Sequence, residues 1–255
     1  MPMKKTAVRI ISAACALLFV GAAAYLTLRL VRAARFTVLT DEQISAVLSG
    51  NELDEPYETI VDSAVSLVGK VHYFWGGKSR VKGWDSAWGS PRKVKSAGSG
   101  TTGTVRPFGL DCSGFITWVF MQIDTDEDMY ELIGEGTWNQ WQKSTPIAWR
   151  DIAVGDLVFQ YEYPGASGNH VGVCVGFFEG QPVFAHCSYS RDIVLVSTAG
   201  TLFKYARRPN ALAVLTSGAD AQKAAHENMR PCSAALPVSP AAPCSCCRPA
   251  RESSL

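Results

Sequence analysis

Asp111-Cys112-Ser113-Gly114-Phe115-Ile116, followed later by Asn169-His170-Val171-Gly172-Val173 and then by Ala185-His186-Cys187, is the stretch on which the reading of this chain turns. The first segment begins a helix. Asp111 can act as its N-cap, and Phe115, Ile116, Val119, Phe120 and Ile123 make the helix apolar on more than one side, as expected for the central helix of a domain. Cys112 then falls in the first turn, where free backbone N–H groups and the helix dipole favour an anion and predict a thiolate. Gly114 is expected to leave room for a substrate carbonyl near the sulfur, and the Cys112 N–H is a candidate oxyanion donor.

A register argument links the two histidines. A three-residue loop, Phe178-Glu179-Gly180, places Phe177 opposite Gln181 and Gly172 opposite His186, so His170 and His186 become diagonal neighbours on one face of a hairpin. A two-residue loop sends them to opposite faces. In the first arrangement His170 is the base for Cys112 and His186 orients it, as the third member of a triad does.

The surrounding pattern predicts an α+β domain. Thr40-Asp41-Glu42-Gln43 reads as a capping box opening a short helix to about Leu48. Residues 57–68 recur at helical spacing and Gly69 stops them. Tyr73-Phe74-Trp75 reads as a short aromatic strand, and a helical piece spans about 137–143. Strand candidates are Leu157-Val158-Phe159, 170–177, 182–187, 193–197 and 202–207, taken as an antiparallel meander that follows the helices. Residues 78–110 carry seven Lys and Arg against Asp85 without periodicity, and read as a long, basic, mobile insertion, either a solvated loop or a lid or binding arm.

The net charge of +1 gives no reason to expect nucleic acid. From Ile10 to Leu28 no charge occurs, and at 1.5 Å per residue that run reaches about 28 Å, enough for one membrane-spanning helix. A cleaved secretory signal ending near Ala22-Ala23-Ala24 is the competing reading. The eight cysteines form no regular framework of bridges. Zinc lacks a close ligand pair, so neither a metal nor a cofactor is expected. The organisation is thus an N-terminal anchor at 1–38, a short helix and linker at 39–55, a catalytic domain at 56–215 and a disordered tail at 216–255.

Tyr73-Phe74-Trp75-Gly76-Gly77, Asp111-Cys112-Ser113-Gly114, Gly155-Asp156-Leu157-Val158-Phe159, His170-Val171-Gly172-Val173 and Ala206-Arg207-Arg208 together resemble the successive motifs of the NlpC-type cysteine peptidases of bacterial cell walls. The resemblance covers roughly 56–210 and implies a papain-like α+β fold, with the Cys-bearing helix packed on an antiparallel sheet. It implies hydrolysis of peptidoglycan stem peptides, typically between D-glutamate and the diamino acid. Cys112 is then nucleophile, His170 base and His186 the third polar group, with Tyr73, Asp111 and Ser113 at the oxyanion and substrate. An amidase or acyl transferase on the same scaffold, or a non-catalytic wall-binding module, are the other readings. Such a substrate lies outside the plasma membrane, which places an anchored domain outside as well, or secretes it if the leader is cleaved, with a larger envelope machine as a conceivable partner. The segment 78–110 and the spacing from His170 to His186 are longer than is usual in that family.

Overall fold

The central helix forms where its cap and composition direct. A computed structural model describes residues 36–165 and 168–217, in which α3 (Cys112–Met121) starts at the extended N-cap Asp111 and buries every residue from Cys112 to Phe120. The helix is apolar on all sides because it is covered on all sides. Before it come α1 (Asp41–Ser49) and α2 (Tyr57–Ser66). The α1 capping box is made, with the Gln43 N–H donating to Thr40 Oγ1 at 3.3 Å and the Thr40 N–H to Gln43 Oε1 at 3.0 Å. Ile44 and Val47 of α1, with Ile60, Val61 and Ala64 of α2, join α3 in the main core. After it follow the short helices α4 (Met129–Ile133) and α5 (Thr137–Gln142). The apolar run 10–28, and all but the first two residues of the tail reading, lie outside the described residues. Among those described, no helix is long and apolar enough to cross a membrane.

Residues 78–110 are folded rather than featureless. They contain a two-stranded antiparallel ribbon, β1 (Pro91–Lys93) and β2 (Val105–Pro107), and bury Trp88, Val94 and Phe108. Trp88 meets Trp118 of α3 edge to face at 5.4 Å, and the Trp118 indole donates to the Val81 carbonyl at 2.9 Å. Much of the positive charge is engaged: Lys78 with Asp111, Arg106 with Asp192, and Arg92 over the Phe108 ring. The scattered aromatic residues carry this packing, and no period in sequence reveals it. The Tyr73 segment is likewise not a strand, since it makes only an isolated parallel bridge to Leu110.

The remaining strands are β3 (Ser144–Ile147), β4 (Leu157–Phe159), β5 (Val171–Phe178), β6 (Gln181–Ser188), β7 (Ile193–Thr198) and β8 (Tyr205–Pro209). They form one antiparallel sheet in the order β3-β8-β4-β5-β6-β7. The expected meander holds only for β4 to β7, because β8 returns to lie between β4 and β3. Two arginines explain that crossing. Arg208 forks onto the fully buried Asp156 carboxylate, Nε to Oδ1 at 2.9 Å and Nη2 to Oδ2 at 2.8 Å, while Arg207 lies over Trp141 and donates to Ser144. A buried carboxylate needs such a partner. β3 is a polar strand at the sheet edge, the place in a sheet where a proline such as Pro146 is tolerated.

The β5-β6 hairpin departs from the expected register and then recovers it. Its turn has two residues, Glu179 and Gly180, with φ of 50° and 73°, and it pairs Phe178 with Gln181 and Phe177 with Pro182. That register alone separates the histidines. Further along, Gly176 pairs with Val183 but Cys174 pairs with Phe184, so Val175 is an extra residue, a β-bulge that shifts the register by one. The amide of Asn51 donates to the Val175 carbonyl at 3.1 Å and satisfies the group the bulge frees. Beyond the bulge, Val173 faces Ala185 and a side chain on Gly172 would touch His186 Cβ at 3.4 Å, so both histidines emerge on one face.

Candidate functional site

Three glycines bring the backbone into place around the start of α3. A Cβ on Gly109 would sit 2.0 Å from the His72 carbonyl oxygen, one on Gly77 would sit 2.2 Å from that of Gly109, and one on Gly114 would sit 2.2 Å from that of Gly77. The space beside Gly114 is therefore filled by the Gly77 carbonyl and the Lys78 side chain, and the expected opening for a substrate carbonyl is not there. Asp111 Oδ1 accepts from the Gly114 N–H at 2.7 Å, from Ser113 Oγ at 2.8 Å and from Lys78 Nζ at 2.6 Å. Asp111 and Ser113, expected at the oxyanion or substrate, instead lock the helix start from behind. Neither lines the cavity. Lys78 is the residue that sequence reading misses, because a lysine counted within a basic run gives no sign that it folds back onto residue 111.

Cys112, by contrast, opens onto a cavity of about 380 Å³ that it shares with His170, Tyr73, Trp75, Tyr189 and Phe36. Its Sγ lies 3.7 Å from the Asn169 carbonyl, immediately before His170. His170 Nε2 is 2.8 Å from His186 Nδ1, so the other ring nitrogen of His170, Nδ1, takes no part in that bond. The Phe203 ring stacks on His170 at 5.6 Å, and Phe36 meets His186 edge to face at 5.2 Å. His186 is fully buried, and its Nε2 lies 2.9 Å from Ser197 Oγ. Cys187 points to the opposite face, toward the Leu110 carbonyl at 3.1 Å. Tyr73 is 5% exposed, packs edge to face on Tyr189, and has its phenol pKa raised by burial, so it stays protonated as a donor. Among the described residues no group of histidines, cysteines and carboxylates could hold a metal ion.

Burial decides the charge state. It pushes the Cys112 thiol up to about 12, reinforced by Asp111 and opposed by Lys78 and the N–H groups of Val171 and Ser113. It lowers His170 to about 4, with Asp111 pulling the other way. Burial thus works against the thiolate expected from the helix N-terminus and favours a neutral thiol and a neutral imidazole, since Asp111 already takes the Gly114 N–H and Cys112 is only 6% exposed. A reaction in which His170 takes the thiol proton needs that proton on sulfur and His170 bare. Activity should therefore stay level from neutral pH down to about 5, fall by half near about 4 as His170 protonates, and show no alkaline loss near pH 8 to 9. A kcat/KM profile with such an alkaline loss would instead indicate a resting ion pair.

Accessibility also separates the three described thiols. Cys174 and Cys187 are fully buried, whereas Cys112 faces the cavity. Iodoacetamide applied to the full-length chain at pH 8 should modify the Cys112 peptide well before those of Cys174 and Cys187, as read by mass spectrometry of the digest. Equal rates for all three would show that the cavity does not reach the sulfur.

An antiparallel sheet bearing two bonded histidines, with a thiol on the first residue of the helix packed against it, defines a thiol-and-imidazole protein of mixed α and β structure. The family model for the NlpC/P60 family matches residues 69–207, more than half of the chain, and the chain belongs to that family. Solved structures similar to it include the NlpC/P60 domain of the peptidoglycan hydrolase SagA, at 26% identity over 59% of this chain and 97% of that one, TM-score 0.39. Another is RipD from Mycobacterium tuberculosis, described as a non-catalytic NlpC/P60 domain protein adapted to peptidoglycan binding, at 16% identity over 61% and 98%, TM-score 0.41. A third is a lipoprotein-like member of the NLP/P60 family from Staphylococcus aureus, at 21% identity, covering 68% of this chain but only 43% of that one, TM-score 0.36. No curated protein matches the chain.

Proposed function

We propose that this protein is a cysteine hydrolase of peptidoglycan stem peptides, with Cys112 as nucleophile, His170 as base and His186 as the group that orients it. The observation that carries the reading is the 2.8 Å bond between His170 and His186 beside a cavity that His170 shares with Cys112, in a chain of the NlpC/P60 family. A thiol and a bonded imidazole pair meeting at one cavity favour the hydrolase over a binding module.

In this mechanism the scissile carbonyl enters the cavity and Sγ of Cys112 attacks its carbon as His170 Nδ1 takes the thiol proton. The oxyanion meets the Cys112 N–H and the Tyr73 hydroxyl, which burial keeps protonated. Collapse returns the proton from His170 to the leaving amine and leaves a thioester on Cys112. Water, deprotonated by the now neutral His170, then releases the acid. The bond we assign is that between D-glutamate and the diamino acid, and we place the domain outside the plasma membrane, held by residues 10–28.

Incubation of the full-length protein with purified muropeptides, followed by mass spectrometry, tests this reading. A new amino terminus on the diamino acid supports it. Release of the whole stem from the sugar makes the protein an amidase, and transfer of the acyl group to an added amine makes it a transferase. Binding without any cleavage removes the hydrolase reading.

A further inference from the structure

Ser197 meets His186 on the side away from His170. It is fully buried on β7, and its position opposite Phe184 puts it on the same face as His186. The segment at the start of the described chain pins this strand: Val38 bridges Ser197, the Leu39 N–H donates to the Val196 carbonyl at 2.9 Å, and the Thr198 N–H donates to the Thr37 carbonyl at 2.9 Å. Ser197 Oγ lies 3.0 Å from the Thr198 carbonyl oxygen and 2.9 Å from His186 Nε2.

We propose that Ser197 is a positioning residue that sets the direction of every proton in the histidine pair, by donating to the Thr198 carbonyl and accepting from His186.

A carbonyl oxygen only accepts, so the single hydroxyl hydrogen of Ser197 points to Thr198 and its lone pair is left for His186. His186 Nε2 must then carry a hydrogen. Burial and the neighbouring His170 keep His186 neutral, so its Nδ1 is a lone pair and can only accept from His170 Nε2. His170, neutral for the same reason, consequently has a bare Nδ1, the atom needed to receive a proton from Cys112. Around His186 stand the Phe36 and Phe203 rings, which offer no competing acceptor. Asp111 is the charged group that acts on His170. Reversal of the serine hydroxyl would put a hydrogen on His170 Nδ1 and disable it. A serine is thus able to fix a tautomer two residues away without titrating, where a carboxylate in the third position would do so by charge.

The proposal rests on His170 serving Cys112, and its main readout is independent of catalysis. Histidine-selective ¹⁵N labelling of the full-length chain, with long-range ¹H–¹⁵N correlation, reports which ring nitrogen of each histidine bears the hydrogen. In the unaltered protein both His170 and His186 should be Nε2–H tautomers; finding His170 as the Nδ1–H form overturns the proposal without any variant. In Ser197→Ala, His186 should acquire a population with the hydrogen on Nδ1, and His170 should follow. The kcat should drop roughly 10- to 100-fold, the range found when the outer hydrogen-bond partner of a metal-bound histidine is removed, with KM little changed. Ser197→Thr, which keeps the hydroxyl, should restore both tautomers. Wild-type tautomers in Ser197→Ala overturn the proposal, whatever happens to the rate. If the rate proves unmeasurable because the chain is no hydrolase, the tautomer pattern still decides the role of Ser197.

Discussion

Replacement of Cys112 by alanine is expected to leave the domain folded and to lower muropeptide cleavage by at least about 10⁴-fold, to the background of the assay. The size follows from chemistry. With the sulfur gone no thioester can form, and the neutral His170 that remains can at most activate a water poorly placed for attack. The fold should barely register the change, because Sγ makes only a long contact to the Asn169 carbonyl and its loss orphans no buried donor or acceptor. The stability cost should be about 1 kcal/mol, the transfer and cavity terms of one small buried group. Cleavage assays paired with thermal unfolding check both halves. Undiminished cleavage by Cys112→Ala would end the cysteine-hydrolase reading, and a large fall in unfolding temperature would mean that the sulfur is a core element instead.

The second large effect is expected at Gly114. A Cβ there would lie 2.2 Å from the Gly77 carbonyl oxygen, 3.0 Å from Lys78 Cδ and 3.3 Å from Asp111 Oδ1. The nearest obstacle is backbone, itself held by the Asp111 N–H at 3.0 Å, and Gly77 cannot retreat because it is closed against Gly109. Gly114→Ala should thus separate the 76–78 loop from the helix, break the Lys78–Asp111 contact and destabilise the domain by roughly 3 kcal/mol or more. That corresponds to a fall of roughly 6 to 12 °C in Tm for a domain of this size. Gly50→Ala is the control: its nearest contacts are at 3.6 and 3.7 Å and its φ is −89°, so the substitution should be close to neutral. If Gly114→Ala is equally harmless in thermal unfolding, the three-glycine stack does not hold the helix start.

These two positions show how unevenly the site can be read from sequence. Cys112 is conspicuous because its signal is local: an N-cap, a first-turn thiol and an apolar helix lie within ten residues. The capping box of α1 and the long strands β5 to β7 are visible for the same reason. Gly114 sits in that same stretch, yet its purpose depends on a backbone oxygen at residue 77, and the sequence suggests substrate space where the structure has packed chain. Lys78 and Ser197 are hidden in the same way, as each acts on a residue far along the chain. Asp156 and Arg208, which stand out as motif residues, turn out to secure the β8 crossing.

The hairpin carries the point furthest. Sequence predicts that His170 and His186 share a face, and they do, but through a two-residue turn and a bulge at Val175 in place of a three-residue loop. Each change alone would move one histidine through the sheet; together they cancel. Asn51, from a segment read as linker, helps hold the bulge. Local composition and periodicity by themselves determined the central helix, its first-turn thiol and the strands that bear the two imidazoles, since those depend on neighbours a few residues away. Strand order, the bulge, the glycine stack and the burial of the thiol were decided only in three dimensions, because close backbone approach, register and desolvation exist only once distant segments have been brought together.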